Sequence, residues 1–457
     1  MNALYVICGL GFLSLLAEIT NLKKGLILAI IPGIIAATIL MVMDWNTTIH
    51  YYSDMLVFDN FSVAYTTLIL VISGVWFWMS GAYFKDQPHQ TDRSALILFA
   101  MSGAIIMVSF ANMAMLFLGV EILSISLYVL AGSTKESLLS NEASFKYFLM
   151  GSFATGFLLM GIALIYGATG SFAILDIAAY IDTNSFVLPG FFYVGVLMML
   201  VGMAFKISAV PFHFWAPDVY EGAPTTITAF MSTVVKIAGI GAFYRVFSYI
   251  FFPVQSSYII VLQTITVLTL LVPNVTAVYQ ISVKRMLAYS SVGHIGYILL
   301  AFISNSITSS GTVFYYLASY SITSIAAFSV LNEVEKNKGA LGFDGLYKRN
   351  PLLAVVMTIS LMSLAGIPPL AGFFGKYMVF TQAISNGYSG LVIIAVITSL
   401  IGVFYYFKVI IAMFVKPNNG LPISLSVSTS ILMILLLILI LAIGVFPDML
   451  ISLLSRK

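Results

Sequence analysis

Long apolar runs, each near the roughly 20 residues a helix needs to cross a bilayer, succeed one another along the whole chain. They fall near 3–20, 25–43, 61–83, 94–110, 112–131, 144–168, 187–210, 226–250, 257–280, 285–305, 311–333, 352–386, 390–414 and 428–455. The predicted fold is therefore an all-α polytopic membrane protein of about fourteen spans. Two of the runs are interrupted. KISAVPFHFWAPDVYEGAPTTITAFMSTVVK, residues 206–236, carries Pro211 and Pro217 between two lysines, and the run at 352–386 carries Pro368 and Pro369. Proline removes a backbone donor and kinks a helix, which lipid tolerates only where protein or internal water satisfies the released groups.

Polar positions between the runs give an orientation, because lysine and arginine prefer cytoplasmic loops. Lys23 and Lys24, Lys85 and Arg93, Lys135 and Lys146, Lys284 and Arg285, Lys336, Lys338, Lys348 and Arg349, and Lys416 all fall in alternate loops. The intervening loops DWNTTIHYYSDMLVFDN, TGSFAILDIAAYIDTNS, SNSITSSG and SNGYSG hold no basic residue, and the exceptions on that side are Arg245 and the terminal Arg456 and Lys457. Both termini are expected to face the periplasm.

An internal echo divides the chain further. SAVPFHF at 208–214 and LAGIPPLAGFF at 364–374 each set proline after small residues, beside aromatics and a lysine, and they lie five spans apart. A repeat of five spans must invert in the membrane. The expected organisation is thus 1–90 (three spans), 91–250 (first inverted repeat, spans four to eight), 251–416 (second inverted repeat, spans nine to thirteen) and 417–457 (the last span), with discontinuous helices at the seventh and twelfth spans.

Composition agrees with a membrane protein: of 457 residues, 61% are hydrophobic and 8% charged, far from the roughly 25% charged of soluble domains. The net charge of +3 is dispersed over short loops, with no basic patch for nucleic acid. One cysteine, Cys8, excludes a disulfide framework and a cysteine-ligated cluster, and His50, His89, His213 and His294 lack metal-ligand spacing. Neither a metal nor a cofactor is expected on this chain.

Charged residues inside spans carry the candidate chemistry, since each costs roughly 2.5 to 3.5 kcal/mol at bilayer depth. Glu121 is the acid near the middle of an apolar span, and Lys206 is its natural partner; the competing reading is a structural salt bridge. The two are expected to approach to ion-pair or water-bridged distance. Lys236 follows Ser232 and Thr233 by four and three residues, a spacing that predicts one wettable helical face. Its alternative is snorkelling to an interface. His294 shares a face with Ser290 and Tyr297, and the next span carries Thr312, Tyr316, Ser319 and Thr323 at near-helical spacing. That histidine reads equally as a satisfied hydrogen-bonding group or as a proton carrier. Lys376 lies inside its helix beyond the Pro-Pro break, while Lys408, nearer a helix end, is open between snorkelling and relay. His213, Pro211, Pro368 and Pro369 belong to the breaks, where gating or structural roles are expected.

With these residues in view, a resemblance emerges. KISAVPFHFWAPDVYEGAP resembles the broken-helix segment of the antiporter-like proton-channel subunits of respiratory complex I, and the match extends through EASFKYFLMGSFATG, KRMLAYSSVGHIGY and AGIPPLAGFFGKY, roughly 90–410. The resemblance implies fourteen helices with two inverted five-helix repeats. It places a glutamate on the fifth helix, lysines on the seventh and eighth, and a lysine or glutamate on the twelfth; Glu121, Lys206, Lys236 and Lys376 stand at those positions. It further implies a proton-translocating subunit in a bacterial inner membrane, beside other antiporter-like subunits, with flavin and iron–sulfur clusters in partner subunits and quinone as their acceptor. Lys206 would be switched by movement relative to Glu121, Lys236 would relay through the region of His294, and Lys376 would exchange with the far side. The alternatives are a subunit of a multi-subunit cation/proton antiporter and a membrane scaffold, the latter needing no buried charges.

Overall fold

The computed structural model describes residues 1–20, 26–84, 89–184, 187–304, 309–337, 342–416 and 421–455. Lys23, Lys24, Lys85, Lys338, Arg456 and Lys457, which enter the orientation argument, lie outside the described residues. The first six apolar runs fold as α1 (Asn2–Ile19), α2 (Leu26–Met43), α3 (Asn60–Met79), α4 (Gln90–Ser109), α5 (Met113–Ala131) and α6 (Leu138–Thr169). The interrupted seventh is α7 (Gly190–Ile207) and α8 (Trp215–Gly222), followed by α9 (Thr225–Ser232) and α10 (Val234–Tyr244). Then come α11 (Ile259–Val278), α12 (Val283–Ile303) and α13 (Ser309–Lys336), the interrupted pair α14 (Pro351–Ala365) and α15 (Ala371–Ser385), α16 (Ser389–Val415) and α17 (Val427–Val445). Among the described residues, 12 helical stretches are long and apolar enough to cross a membrane, one of them, Thr225–Ile250, being made up of α9, α10 and a π-helical turn. An antiparallel hairpin of β1 (Ile49–Tyr51) and β2 (Leu56–Phe58) occupies the polar loop before α3.

Burial sorts the helices by polarity. α13 is enclosed by protein, and on it Ser309, Ser310, Thr312, Ser319, Ser321, Thr323, Ser324 and Ser329 are all buried. α17, the most apolar span, turns most of its surface outward. That is the order expected where lipid, and not water, surrounds the protein, since polar side chains must then find partners inside.

The breaks have local causes. Ser208 takes a left-handed conformation (φ 65°) at the end of α7, and Gly366 (φ 88°) does the same after α14. Glycine is the residue that meets such a conformation without strain. Asn350 caps α14 by accepting from the Leu353 N–H at 3.0 Å, with Pro351 in the first turn. Two departures from the sequence expectation arise the same way. The run 226–250 is no single α-helix: it breaks at Thr233 (φ −115°, ψ −77°) and turns π-helical over Arg245–Ile250. The run 428–455 ends as a span at Val445, because Pro447 cannot continue the ladder, and resumes as the short helix Asp448–Ser455.

Contacts group the chain into two compact units. The first comprises Met1–Phe77, Gly81–Ala223 and Val234–Ile265; the second comprises Trp78–Ser80, Pro224–Thr233 and Thr266–Lys457. In the first, α6 packs along α7 and α8, α4 lies between α1 and α5, and α10 packs on both α4 and α7. In the second, α13 contacts α14 and α15, and α12 contacts α15 and α16.

Arg245, the basic exception of the orientation argument, is buried in the first unit. Its guanidinium donates to both Asp59 oxygens at 2.8 and 3.1 Å and to Ser62 Oγ at 2.9 Å, and it lies 5.0 Å from the Phe61 ring centroid. Asp59 also caps α3, accepting from the Ser62 N–H at 2.8 Å. Burial alone would raise the Asp59 carboxyl, but Arg245 and Ser62 outweigh it and hold the group below the usual carboxylate range. A depressed carboxyl stabilises the fold above its unfolded value, about 4, and that contribution is lost only as pH falls below it. Asp59→Asn, which keeps the cap and removes the charge, is therefore expected to cost about 1 to 3 kcal/mol, between an exposed and a buried pair. Thermal inactivation in detergent should show the difference at pH 7; equal midpoints would remove the pair from the account.

Candidate functional site: buried lysines at helix breaks

In the first unit, α7 brings Lys206 to its last turn, just before the left-handed Ser208. The side chain is only 6% exposed. Its Nζ donates to Ser124 Oγ on α5 at 2.8 Å. Ser124 lies one turn beyond Glu121 on the same helix, and Glu121 is half-buried. Of the two expected forms of approach, the direct ion pair is not formed: among the described residues, no carboxylate lies within the 4.0 Å ion-pair distance of the Lys206 ammonium. The Glu121 charge acts on it through space. Ser124, whose own hydroxyl donates to the Val120 carbonyl, is the lysine's partner that residue spacing alone leaves out, and its position three residues after Glu121 is the available signal.

Aromatic packing roofs this site. Trp215 donates from Nε1 to the Phe205 carbonyl at 3.1 Å, satisfying one acceptor released by the break. Tyr147 stacks on Trp215 at 4.5 Å, and Tyr128 meets Tyr147 edge-on at 4.8 Å. Between α5, α6 and α7 lies a cavity of about 10 Å³ bordered by Ser124, Tyr128, Tyr147, Thr155 and Lys206, on the order of one water molecule.

Lys236, on α10, is 1% exposed, so the snorkelling reading is excluded. α10 lies against α7 closely enough that a Cβ on Gly239 would sit 3.3 Å from Ile207 and 3.8 Å from the Lys206 stem. The expected wettable face differs in detail. Ser232 Oγ and Thr233 Oγ1 donate back to the Ala229 carbonyl at 3.1 and 2.7 Å, and the helix is interrupted between them and Lys236. Hydroxyls that bond their own backbone compete with the helix. The stripe that spacing predicted is thus a break.

In the second unit, Lys376 is 6% exposed on α15. Its Nζ donates to the Ala365 carbonyl, released by the break after α14, and to Ser399 Oγ on α16, both at 2.9 Å. It also stands 4.9 Å over the Tyr297 ring. His294 on α12 is buried, with Nδ1 2.8 Å from Tyr316 Oη and Nε2 3.4 Å from Tyr406 Oη. Of the residues expected beside it, Tyr316 makes this bond and Ser290 joins Tyr406. Ser319 and Thr323 turn instead to the Tyr316 and Ser319 carbonyls. Lys408 is exposed on α16 and lines a cavity of about 1060 Å³. His213 is buried in the first break, whereas Pro211, Pro368 and Pro369 are exposed at the breaks themselves.

Helices that cross the membrane, three of them broken among the described residues, with Lys206, Lys236 and Lys376 buried beside the breaks, define an antiporter-like ion-translocating subunit. The chain belongs to the family of NADH:quinone oxidoreductase and Mrp antiporter transmembrane proteins, whose pattern matches residues 110–402. Curated relatives are named NADH-quinone oxidoreductase subunit N; that of Cytophaga hutchinsonii is 49% identical over 421 residues, 91% of this chain and 90% of its own length. A chain of the respiratory complex I from Thermus thermophilus with bound aureothin superposes with a TM-score of 0.82 at 28% identity, over 100% of both chains. A chain of the Mrp complex from Dietzia sp. DQ12-45-1b shares the fold, with a TM-score of 0.87 at 23% identity over 99% of this chain and 94% of its own.

Proposed function

We propose that this chain is a proton-translocating membrane subunit of an NADH:quinone oxidoreductase. It works among other membrane subunits and is driven by redox chemistry in partners that hold the flavin and iron–sulfur clusters, while it carries no cofactor itself. The observation that supports this reading best is the burial of Lys206, Lys236 and Lys376 inside membrane helices. Three charges at roughly 2.5 to 3.5 kcal/mol each are a large burden for a scaffold.

The proposed chemistry follows from the geometry of each unit. Burial disfavours the charged form of an amine and a nearby carboxylate favours it. A small movement of α7 relative to α5 therefore changes how firmly Lys206 holds its proton, with Ser124 as the resting acceptor of its hydrogen bond. Lys236, on the helix packed against α7, is the next carrier. His294 and Lys376 serve the same role in the second unit, where the Ala365 carbonyl and Ser399 hydroxyl solvate the Lys376 ammonium. The inverted repeats are assigned to 91–250 and 251–416, and the chain sits in the bacterial inner membrane with both termini periplasmic.

The purified chain is expected to bring flavin and iron–sulfur partners with it, and vesicles holding that assembly are expected to take up protons when NADH reduces quinone. Sodium flux in the absence of NADH and quinone would establish the antiporter alternative instead. In the same vesicles, a cysteine placed at the C-terminus should react with impermeant reagent from the periplasmic side; reaction from the cytoplasmic side would reverse the orientation.

A further inference from the structure

The second unit holds a polar chain that the lysine and histidine roles leave unused. Tyr406 on α16 shares a hydrogen bond with Ser290 Oγ and lies 3.4 Å from His294 Nε2, while the other ring nitrogen meets Tyr316 Oη at 2.8 Å. Its neighbour Tyr405 packs against it with ring centroids 4.5 Å apart and donates to Asn274 Oδ1 at 3.0 Å. Tyr405 also lines the cavity of about 1060 Å³, together with Lys284, Glu335, Lys408 and Lys416. Every one of these residues belongs to the second unit.

The cavity extends inward from the loop end of α16. Tyr406 precedes Lys416, an exposed residue of the cavity lining, by ten residues, about 15 Å along a helix and near half the roughly 30 Å of hydrocarbon. On the far side of His294, the Tyr316 ring packs where a Cβ on Gly375 would come within 3.0 Å of it, directly beside Lys376 in sequence. A side chain at 375 would push the Tyr316 ring aside.

We propose that the cavity is an aqueous inlet to the second unit and that Tyr406 is the hydroxyl through which protons pass from it to His294. The inference rests on reading the chain as a proton carrier, and deepens that reading by assigning its second unit a supply from the side of the basic loops. The step balances without an ionised intermediate at rest. The Tyr406 O–H bond breaks as an N–H bond forms at His294 Nε2, and the Tyr406 oxygen regains a proton from cavity water by way of Tyr405, whose own O–H bond re-forms from that water. The imidazolium then releases its Nδ1 proton to Tyr316, whose own proton moves on toward Lys376 in the neutral form left after that amine has released its proton. Tyrosine suits the position because one oxygen both donates and accepts.

The test compares assembled complexes in vesicles by protons moved per NADH, with electron transfer from NADH to an artificial acceptor as the control for integrity. Tyr406→Phe deletes one oxygen and preserves ring packing. It should lower the proton ratio as far as Lys376→Ala does, with the control reaction unchanged. A normal ratio in Tyr406→Phe beside a lowered one in Lys376→Ala would overturn the inference and leave the proton-carrier reading standing; normal ratios in both would overturn that reading itself. Should Tyr406→Phe fail to assemble, Ala412→Cys in a Cys8→Ser background puts a thiol in the cavity wall. A charged, water-soluble thiol reagent should label it and lower the proton ratio. A thiol that resists labelling, or full labelling with normal pumping, would refute the inlet.

Discussion

Lys376→Arg is expected to stop proton movement through this chain almost as completely as Lys376→Ala, a loss on the order of 10²-fold, the scale on which proton-transfer groups act. The lysine ammonium is held by the Ala365 carbonyl and Ser399 hydroxyl at 2.9 Å and by the Tyr297 ring. A guanidinium would find the same acceptors and the same aromatic face, so a fixed positive charge would be preserved. What it would lose is the capacity to release a proton, because arginine stays charged at all accessible pH. The site is also close-fitting, with the lysine stem 3.0 Å from where a Cβ on Gly366 would lie. Assembly of each variant therefore has to be measured beside pumping. Normal pumping by an assembled arginine variant would mean that position 376 needs charge and not exchange.

The second large effect is expected at Glu121. Glu121→Gln keeps the size and hydrogen-bonding reach of the side chain and removes its charge. Because Lys206 is anchored on Ser124 and not on the carboxylate, the substitution should leave packing and assembly intact. It should nevertheless lower pumping coupled to NADH oxidation by roughly tenfold, which requires only about 1.4 kcal/mol of lost differential interaction between the two states of the lysine. Full pumping by an assembled Glu121→Gln complex would remove the carboxylate from the switch.

How legible these sites were depended on what fixes them. The spans were readable because lipid forces the backbone to satisfy itself, and the interruptions at 208–214 and 366–370 were readable from Pro211, Pro368 and Pro369. The break at Thr233 was not. Ser232 and Thr233 have helical spacing to Lys236, and only the backbone shows their hydroxyls returned to Ala229. Pro447 was a visible stop that a simple hydropathy run overrode. Within the sites, Lys206, Lys236 and Lys376 stood out because charge inside an apolar run is rare. Their partners did not stand out: Ser399, Tyr405 and Tyr406 on α16 are ordinary residues of a long helix until packing against α12 and α15 brings them to His294 and Lys376. Periodicity says which residues share a face, whereas the neighbouring helix decides which of them meet.

That protons pass through the buried lysine site of each unit is tested most directly by the proton-to-electron ratio of variants at both sites. Glu121→Gln and Lys376→Arg would be placed singly and together in the assembled complex, with electron transfer to an artificial acceptor held equal. Carriage at each site predicts a lowered ratio in either single variant and in the double variant. A ratio that stays at the wild-type value in all three assembled variants would contradict it.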